Sequence, residues 1–229
     1  EVARTFRPRG TGVADIPKEK SEKTCYVTLR RSDLPVDGRA SAWSRISPVK
    51  ITVDDSDLSA EILAFYDADY YYVAATVRGD ESPGVNVNAE SLDTAWSGDC
   101  LEIYIGVDPT ADPKRQKYTE TDCQILFPSD GNVQGRQPID LHGRKRIPGG
   151  LVGSRADPGK KEWSVTGRIP WSYLGTYRPT PESVITGGFK VNLGDHSGRK
   201  TTLSMFWSGS GREWVNPNEW GKLRMVYVD

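Results

Sequence analysis

Residues 96–105 read Trp96-Ser97-Gly98-Asp99-Cys100-Leu101-Glu102-Ile103-Tyr104-Ile105, a turn that runs into a strand. From Cys100 onward the chain alternates: Leu101, Ile103 and Ile105 stand against Cys100, Glu102 and Tyr104. Successive side chains on a strand point to opposite faces, so the first set is predicted to enter a core and the second to look outward. The Ser97-Gly98-Asp99 step before the strand is turn chemistry and places Trp96 in a polar loop. Trp214 stands in a comparable setting, Gly211-Arg212-Glu213-Trp214-Val215-Asn216-Pro217. A tryptophan in such a loop can pack as a lid on the core, the commoner outcome for a large aromatic. It can also present a flat indole to the apolar C–H face of a sugar ring.

Outward from this stretch, strand signals recur with turns between them. They fall at Cys25–Arg30, Val49–Val53, Ala60–Phe65, Tyr70–Val77, Cys100–Val107, Thr121–Phe127, Trp163–Ile169, Gly188–Leu193, Thr202–Phe206 and Leu223–Val228. Tyr70–Val77 is nearly all apolar, as a strand covered on both faces should be. Residues 108–118 and 128–160 are polar and read as long loops, the second with room for a hairpin. Residues 1–24 mix Pro, Gly, Lys, Glu and Arg without a period and read as an irregular arm, which the short strand after it could anchor. The division expected is an arm with its strand over 1–33 and one domain over 34–229. The fold class is all-β, an antiparallel, jelly-roll-like β-sandwich with long loops.

Composition agrees. Seven Trp and ten Tyr favour strands, while 23 Gly and 15 Pro supply turns and discourage long helices. A net charge of −1 steers the chain toward neither nucleic acid nor an anionic membrane. The clusters Arg4, Arg7, Arg9 and Arg144, Lys145, Arg146 are small and read as solvated side chains. No apolar run approaches the length that spans a bilayer. Three cysteines, Cys25, Cys100 and Cys123, form no CxxC pair and allow at most one intrachain bridge.

Six elements, taken in order, resemble the family 9 carbohydrate-binding modules, the non-catalytic domains attached to xylanases and related enzymes. They are Leu34-Pro35-Val36-Asp37-Gly38 with Ala42-Trp43; Ile62 to Asp67 with the strand from Tyr70 to Val77; and the Trp96–Ile105 stretch itself. The others are Trp163 to Ile169 with Pro170-Trp171; Gly188 to Asp195; and Phe206-Trp207-Ser208 through Trp214 and Asn218 to Arg224. Together they span about 85% of the chain. The resemblance implies a β-sandwich that is not an enzyme and that binds polysaccharide or oligosaccharide ends. The implied ligands are β-linked glucan, such as cellulose, or xylan. The domain would be secreted or at the cell surface and would deliver an attached or partner glycoside hydrolase to its substrate.

In the family, two tryptophans sandwich a terminal sugar, and their positions match Trp96 and Trp214. Glu102 matches a family glutamate that accepts hydrogen bonds from sugar hydroxyls, a role suited to a carboxylate. By itself it reads equally as an exposed strand residue. Asn192 matches a family glutamine, while a family arginine falls on Leu126 and a family asparagine on Gly211. Arg212 and Glu213, close to Gly211, could replace that asparagine. Trp43, Trp163, Trp171 and Trp207 match packed positions, and Trp220 reads as structural. Structural calcium is a further implication, with Asp37, Asp67, Asp69, Asp80, Asp99 and Asp195 as acidic loop residues and no EF-hand spacing among them.

Other classes leave weaker traces. Asp99 and Glu102, three apart, would point to opposite faces of a regular strand and make a poor glycosidase pair. His142 and His196 are isolated, and no nucleophile or zinc motif accompanies them. Two alternatives stay open. One is a haem-binding electron-transfer domain of the same fold, with Met205, Met225 and the two histidines as potential axial ligands. The other is a structural or protein-interaction sandwich that has lost sugar binding, for which Leu126 and Gly211 argue.

Overall fold

The computed structural model describes residues 5–6, 23–30, 34–43 and 47–227. The expected arm over 1–24, with Arg4, Arg7 and Arg9, lies outside the described residues apart from 5–6 and 23–24. So do the boundary at 31–33 and the last residue of the strand expected to end at Val228.

The described chain is strands joined by turns and short 3-10 segments. In order they are β1 (Thr5–Phe6), β2 (Thr24–Leu29), β3 (Val49–Thr52), β4 (Ser59–Tyr66), β5 (Tyr70–Arg78), β6 (Cys100–Gly106) and β7 (Asp122–Pro128). There follow β8 (Val133–Arg136), β9 (Ile139–Asp140), β10 (Lys145–Arg146), β11 (Leu151–Asp157), β12 (Glu162–Pro170), β13 (Val184–Gly194), β14 (Thr201–Phe206) and β15 (Gly221–Val226). Pairing runs β10-β9-β7-β6-β13-β15-β2-β4-β5-β12-β11-β8, with β14 beside β13 and β3 beside β4. The pairs are antiparallel except β15–β2 and β2–β4. Parallel neighbours need a long crossover, and residues 30–58 between β2 and β4 provide one.

This sheet curls until its two halves face each other as a sandwich. One core holds Leu101, Ile103 and Ile105 of β6 together with Val73, Ala75 and Val77 of β5. A close approach fastens the layers: the Phe127 ring of β7 lies against the bare Cα of Gly167 on β12. A side chain at Gly167 would overlap the ring, so glycine is required there.

Apolar stretches became strands where expected, and the differences lie in what covers them. β5 is buried on both faces because residues 34–43 fold over its outer side. There Trp43 meets Phe65 and Tyr72 edge-on, with centroids 6.0 and 6.1 Å away, and its Nε1 donates to Pro35 O at 2.9 Å. Trp163, Trp171 and Trp207 are buried too, and Trp220 stacks on Tyr104. The hairpin between β4 and β5 turns on Asp67, whose Oδ1 accepts the N–H groups of Asp69 and Tyr70 at 2.8 and 2.7 Å.

Two expectations are corrected. The outer face of β6 does not look into solvent: Cys100, Glu102 and Tyr104 are all buried, beneath the Trp96 turn and Trp220. Residues 128–160 are not a loop, because they contain β8 to β11. The longest of these, β11, pairs with β12 along its whole length. Gly153 and Arg155 interrupt its apolar pattern because their face takes the backbone of Val36 and Asp37 instead of side chains, while Ser154 on the other face donates to Gly131 O at 2.8 Å. Cys25, Cys100 and Cys123 are buried free thiols.

Candidate functional site

Trp96 occupies the middle of a 3-10 turn, Ala95–Ser97, whose flanking residues are buried while its own ring is 43% exposed. The loop before it is held by buried Asn86, whose Nδ2 donates to Ala95 O at 2.7 Å and Asp99 O at 3.1 Å. The Trp96 Nε1 donates to Asp93 O at 2.9 Å, which fixes the ring's rotation. Its carbonyl accepts from Asn192 Nδ2 and Thr201 Oγ1, both at 3.0 Å.

Trp214 sits on a second tight turn, in which Val215 and Asn216 donate their N–H groups to Arg212 O at 3.0 and 2.9 Å. Its ring is 54% exposed, whereas Glu213 before it is buried. The Glu213 carbonyl is gripped by Trp220 Nε1 at 3.0 Å and Tyr118 Oη at 3.3 Å. The turn enters through Gly211 at φ +99°, a backbone region that favours glycine. An asparagine here would be strained, which explains why the residue is Gly.

Both indoles line one cavity of about 430 Å³. Leu92, Asp93, Leu141 and Arg144 complete its walls, and Glu102, Gln124 and Lys190 supply polar groups. The structure therefore brings together Trp96, Trp214 and Glu102 from sites more than a hundred residues apart in sequence at the extremes. Arg144 pairs with Asp93, and Arg146 with Glu90, which ties the loop before Trp96 to the β9–β10 hairpin.

Glu102 is 1% exposed and carries four donors. Tyr104 Oη and Gln124 Nε2 donate to its Oε2 at 2.6 and 2.8 Å; Lys190 Nζ and Asn192 Nδ2 donate to its Oε1 at 2.9 and 2.6 Å. Burial pushes this carboxyl up, but the Lys190 charge and the bonds from Tyr104, Lys190 and Gln124 outweigh it and hold it below the ordinary value. It is an anion, not a proton donor. The register accounts for the cluster: Lys190 lies opposite Glu102, Asn192 opposite Cys100, and Gln124 opposite Tyr104.

Two expected ligand residues stand elsewhere. Asn192 is fully buried and outside the cavity wall, with its amide shared between Trp96 O and Glu102 and its Oδ1 accepting from Ser204 at 2.7 Å. It positions the site from beneath. Arg212 is exposed and does not line the cavity. Leu126 is buried with Ala95, Cys100 and Ile139, so no charged donor arises from β7. Lys190 on β13 and Arg144 on the hairpin supply the positive charge instead. Sequence reading missed Gln124, Lys190, Leu92, Asp93, Leu141 and Arg144. Alternation alone would have put Lys190 on the same face as Asn192, and Gln124 on the same face as Leu126.

The remaining candidates resolve individually. Met205 and Met225 belong to the core and line neither this cavity nor the one between β2 and β3. His142 is exposed and stacks on Tyr118, while His196 meets Ser82. None of the four lines either cavity. Among the acidic residues, Asp67 and Asp195 spend their carboxylates on local turn N–H groups, and Asp37 pairs with Arg39. Asp99 differs. Burial pushes its carboxyl up and the nearby Asp80 charge adds to that, against N–H groups from Gly194, Val85 and Gly84. Ser129, fully buried beside Gly84, has an unpartnered hydroxyl. Among the described residues there is no group of three or more His, Cys, Asp or Glu arranged to hold a metal ion.

Comparison with known proteins follows the same direction. The profile of the carbohydrate family 9 binding domain-like family matches residues 36–227. An endo-1,4-beta-xylanase A from Thermotoga maritima is 24% identical over 180 residues, 75% of this chain. The match spans 14% of that enzyme's length. Among solved structures, a family 9 carbohydrate-binding module from Caldicellulosiruptor kristjanssonii in complex with cellotriose superposes with a TM-score of 0.68 at 18% identity. The match covers 90% of this chain and 95% of that one. A putative carbohydrate-binding protein from Bacteroides uniformis superposes with a TM-score of 0.53 at 17% identity, covering 90% of this chain and all of that one.

Proposed function

The chain belongs to the carbohydrate family 9 binding domain-like family, and from that premise we propose that it is a non-catalytic domain that captures the ends of β-linked glucan or xylan chains. The observation that carries this reading is the pair of exposed indoles, Trp96 and Trp214, walling a single cavity with polar groups at Glu102, Gln124 and Lys190. Indoles cover the apolar faces of a sugar ring, and polar groups meet its equatorial hydroxyls. A slot of this kind takes a chain end in preference to a chain middle. The xylanase relative and the cellotriose complex of the family 9 module favour xylan and glucan as ligands. The domain would act outside the cell, delivering an attached or partner glycoside hydrolase to its polymer.

Structural calcium is part of the same reading. Asp80 and Asp99, near the Ser129 hydroxyl, are the candidate ligands, and a cation there would have to share carboxylate oxygens that already accept N–H groups from Ser82, Trp163, Val85 and Gly194. The mutual repulsion of Asp80 and Asp99 is what a bound cation would relieve.

The test is isothermal titration with glucose, xylose, cellobiose and xylobiose, each beside its alditol, using wild type and Trp96→Ala. Heat that disappears on reduction of the sugar end and in the variant supports an end-reading slot. A folded, calcium-supplied protein that gives no heat with any sugar overturns it and leaves an interaction domain.

A further inference from the structure

Glu102 has no free acceptor site. A carboxylate has roughly four lone-pair positions. Tyr104, Gln124, Lys190 and Asn192 occupy all of them at 2.6 to 2.9 Å. A sugar hydroxyl could donate to Glu102 only by displacing a buried protein donor, which would then lack a partner.

The donors differ in what they have left. Tyr104 has one proton, and Glu102 takes it. Asn192 is fully buried, with its amide committed to Trp96 O, Glu102 and Ser204. Lys190 has three protons and gives one to Glu102; Gln124 keeps one N–H and its carbonyl. Both are only partly buried, and both line the cavity.

We infer that Lys190 and Gln124 make the direct hydrogen bonds to the sugar while Glu102 orients them, so that the slot reads a sugar end chiefly through the lone pairs of its oxygens. This rests on the carbohydrate-binding reading above. It also explains how the site does without a charged donor at Leu126: the cation comes from the neighbouring strand on the other side of β6, where Lys190 stands directly opposite Glu102.

The experiment titrates glucose and the monodeoxyglucose series into wild type, Gln124→Met, Lys190→Met and the double variant Lys190→Met/Glu102→Gln. The double variant leaves no uncompensated buried carboxylate if Lys190→Met alone fails to fold. Gln124→Met and whichever Lys190 variant folds should bind glucose about tenfold more weakly. Wild type should discriminate against at least one deoxy sugar, and the variant lacking that contact should not. Near wild-type affinity in all variants overturns the inference. So does an equal loss across glucose and every deoxy sugar, which marks a structural role. If wild type binds xylose but not glucose, the same variants are titrated with xylose and its deoxy analogues. Absence of wild-type binding to glucose, xylose, cellobiose and xylobiose alike overturns the parent reading instead, and Trp96→Ala tells the two failures apart: it abolishes binding in the first case and has none to abolish in the second.

Discussion

Trp96 and Glu102 are tied together through one nitrogen. The Nδ2 of Asn192 donates to the Trp96 carbonyl at 3.0 Å and to Glu102 Oε1 at 2.6 Å, so the stacking platform and the polar group beside it move as one body. Asn192 is itself held by Ser204 and fully buried. A ligand slot built this way loses little entropy when filled, because its parts are already ordered.

Replacing that nitrogen should therefore damage stability and binding together. Asn192→Ala leaves a buried carboxylate oxygen one donor short, and the cost should be about 2 kcal/mol or more. Urea unfolding measures the first effect and sugar titration the second. A variant that binds weakly at unchanged stability would contradict the shared-anchor account.

The two indoles should behave differently from Asn192. Trp96 and Trp214 are 43% and 54% exposed, so Trp96→Ala and Trp214→Ala should each leave unfolding within about 0.5 kcal/mol of wild type. Both should lose sugar binding. A large drop in stability would mean that the rings act as lids on the core.

Glu213 makes the Trp214 turn sensitive to pH. Burial pushes its carboxyl up to about 8, against backbone N–H groups including that of Gly211, with the Glu219 charge raising it and Lys190 lowering it. One carboxyl oxygen has no hydrogen-bond partner. An unfolded glutamate titrates near its ordinary value of about 4.3. The folded state therefore holds the proton more tightly, and the stability this contributes is complete below about pH 4. It declines as pH rises, and is gone above about pH 8. Urea midpoints across that range should fall for wild type and stay flatter for Glu213→Gln. Sugar affinity should weaken above about pH 8 in wild type alone, as the charged side chain disturbs the turn.

Calcium should raise the melting temperature if Asp80 and Asp99 hold it. Differential scanning calorimetry with calcium and with chelator should separate the two states of wild type, and Asp99→Asn should remove most of the difference. Equal melting in both conditions would exclude a calcium site that supports the fold.

Between the layers, Gly167→Ala should be costly because the new methyl group overlaps the Phe127 ring. A loss of about 1–3 kcal/mol is expected from overpacking. The paired variant Gly167→Ala/Phe127→Leu should recover part of it, which a purely local backbone effect at residue 167 would not allow.

The order of strands was legible because the information is local. An apolar residue at every second position, with Gly, Pro and Asp between runs, places β3 to β7 and β12 to β15 within a few residues of where they form. It fails where a face packs against backbone rather than side chains, as in β11 against Val36 and Asp37. The polar turns that carry Trp96 and Trp214 were also readable, but turn chemistry alone left burial of the indoles the commoner outcome, and their exposure was implied only by the family resemblance.

What surrounds those indoles was decided only in three dimensions. Glu102 looked like a surface acceptor because alternation sends it away from the core, and nothing local says that a second cover lies over that face. Its partners Gln124, Lys190 and Asn192 stand 22, 88 and 90 residues away in sequence. They meet it because β7 and β13 flank β6 in one particular register. The Leu141 and Arg144 wall comes from a short hairpin in a stretch with no strand period at all. The sequence by itself determined a β-sandwich with two tryptophans on loops, since periodicity and turn chemistry act over a few residues. Which polar groups face those tryptophans was set by strand register and curl, which depend on pairings between distant segments.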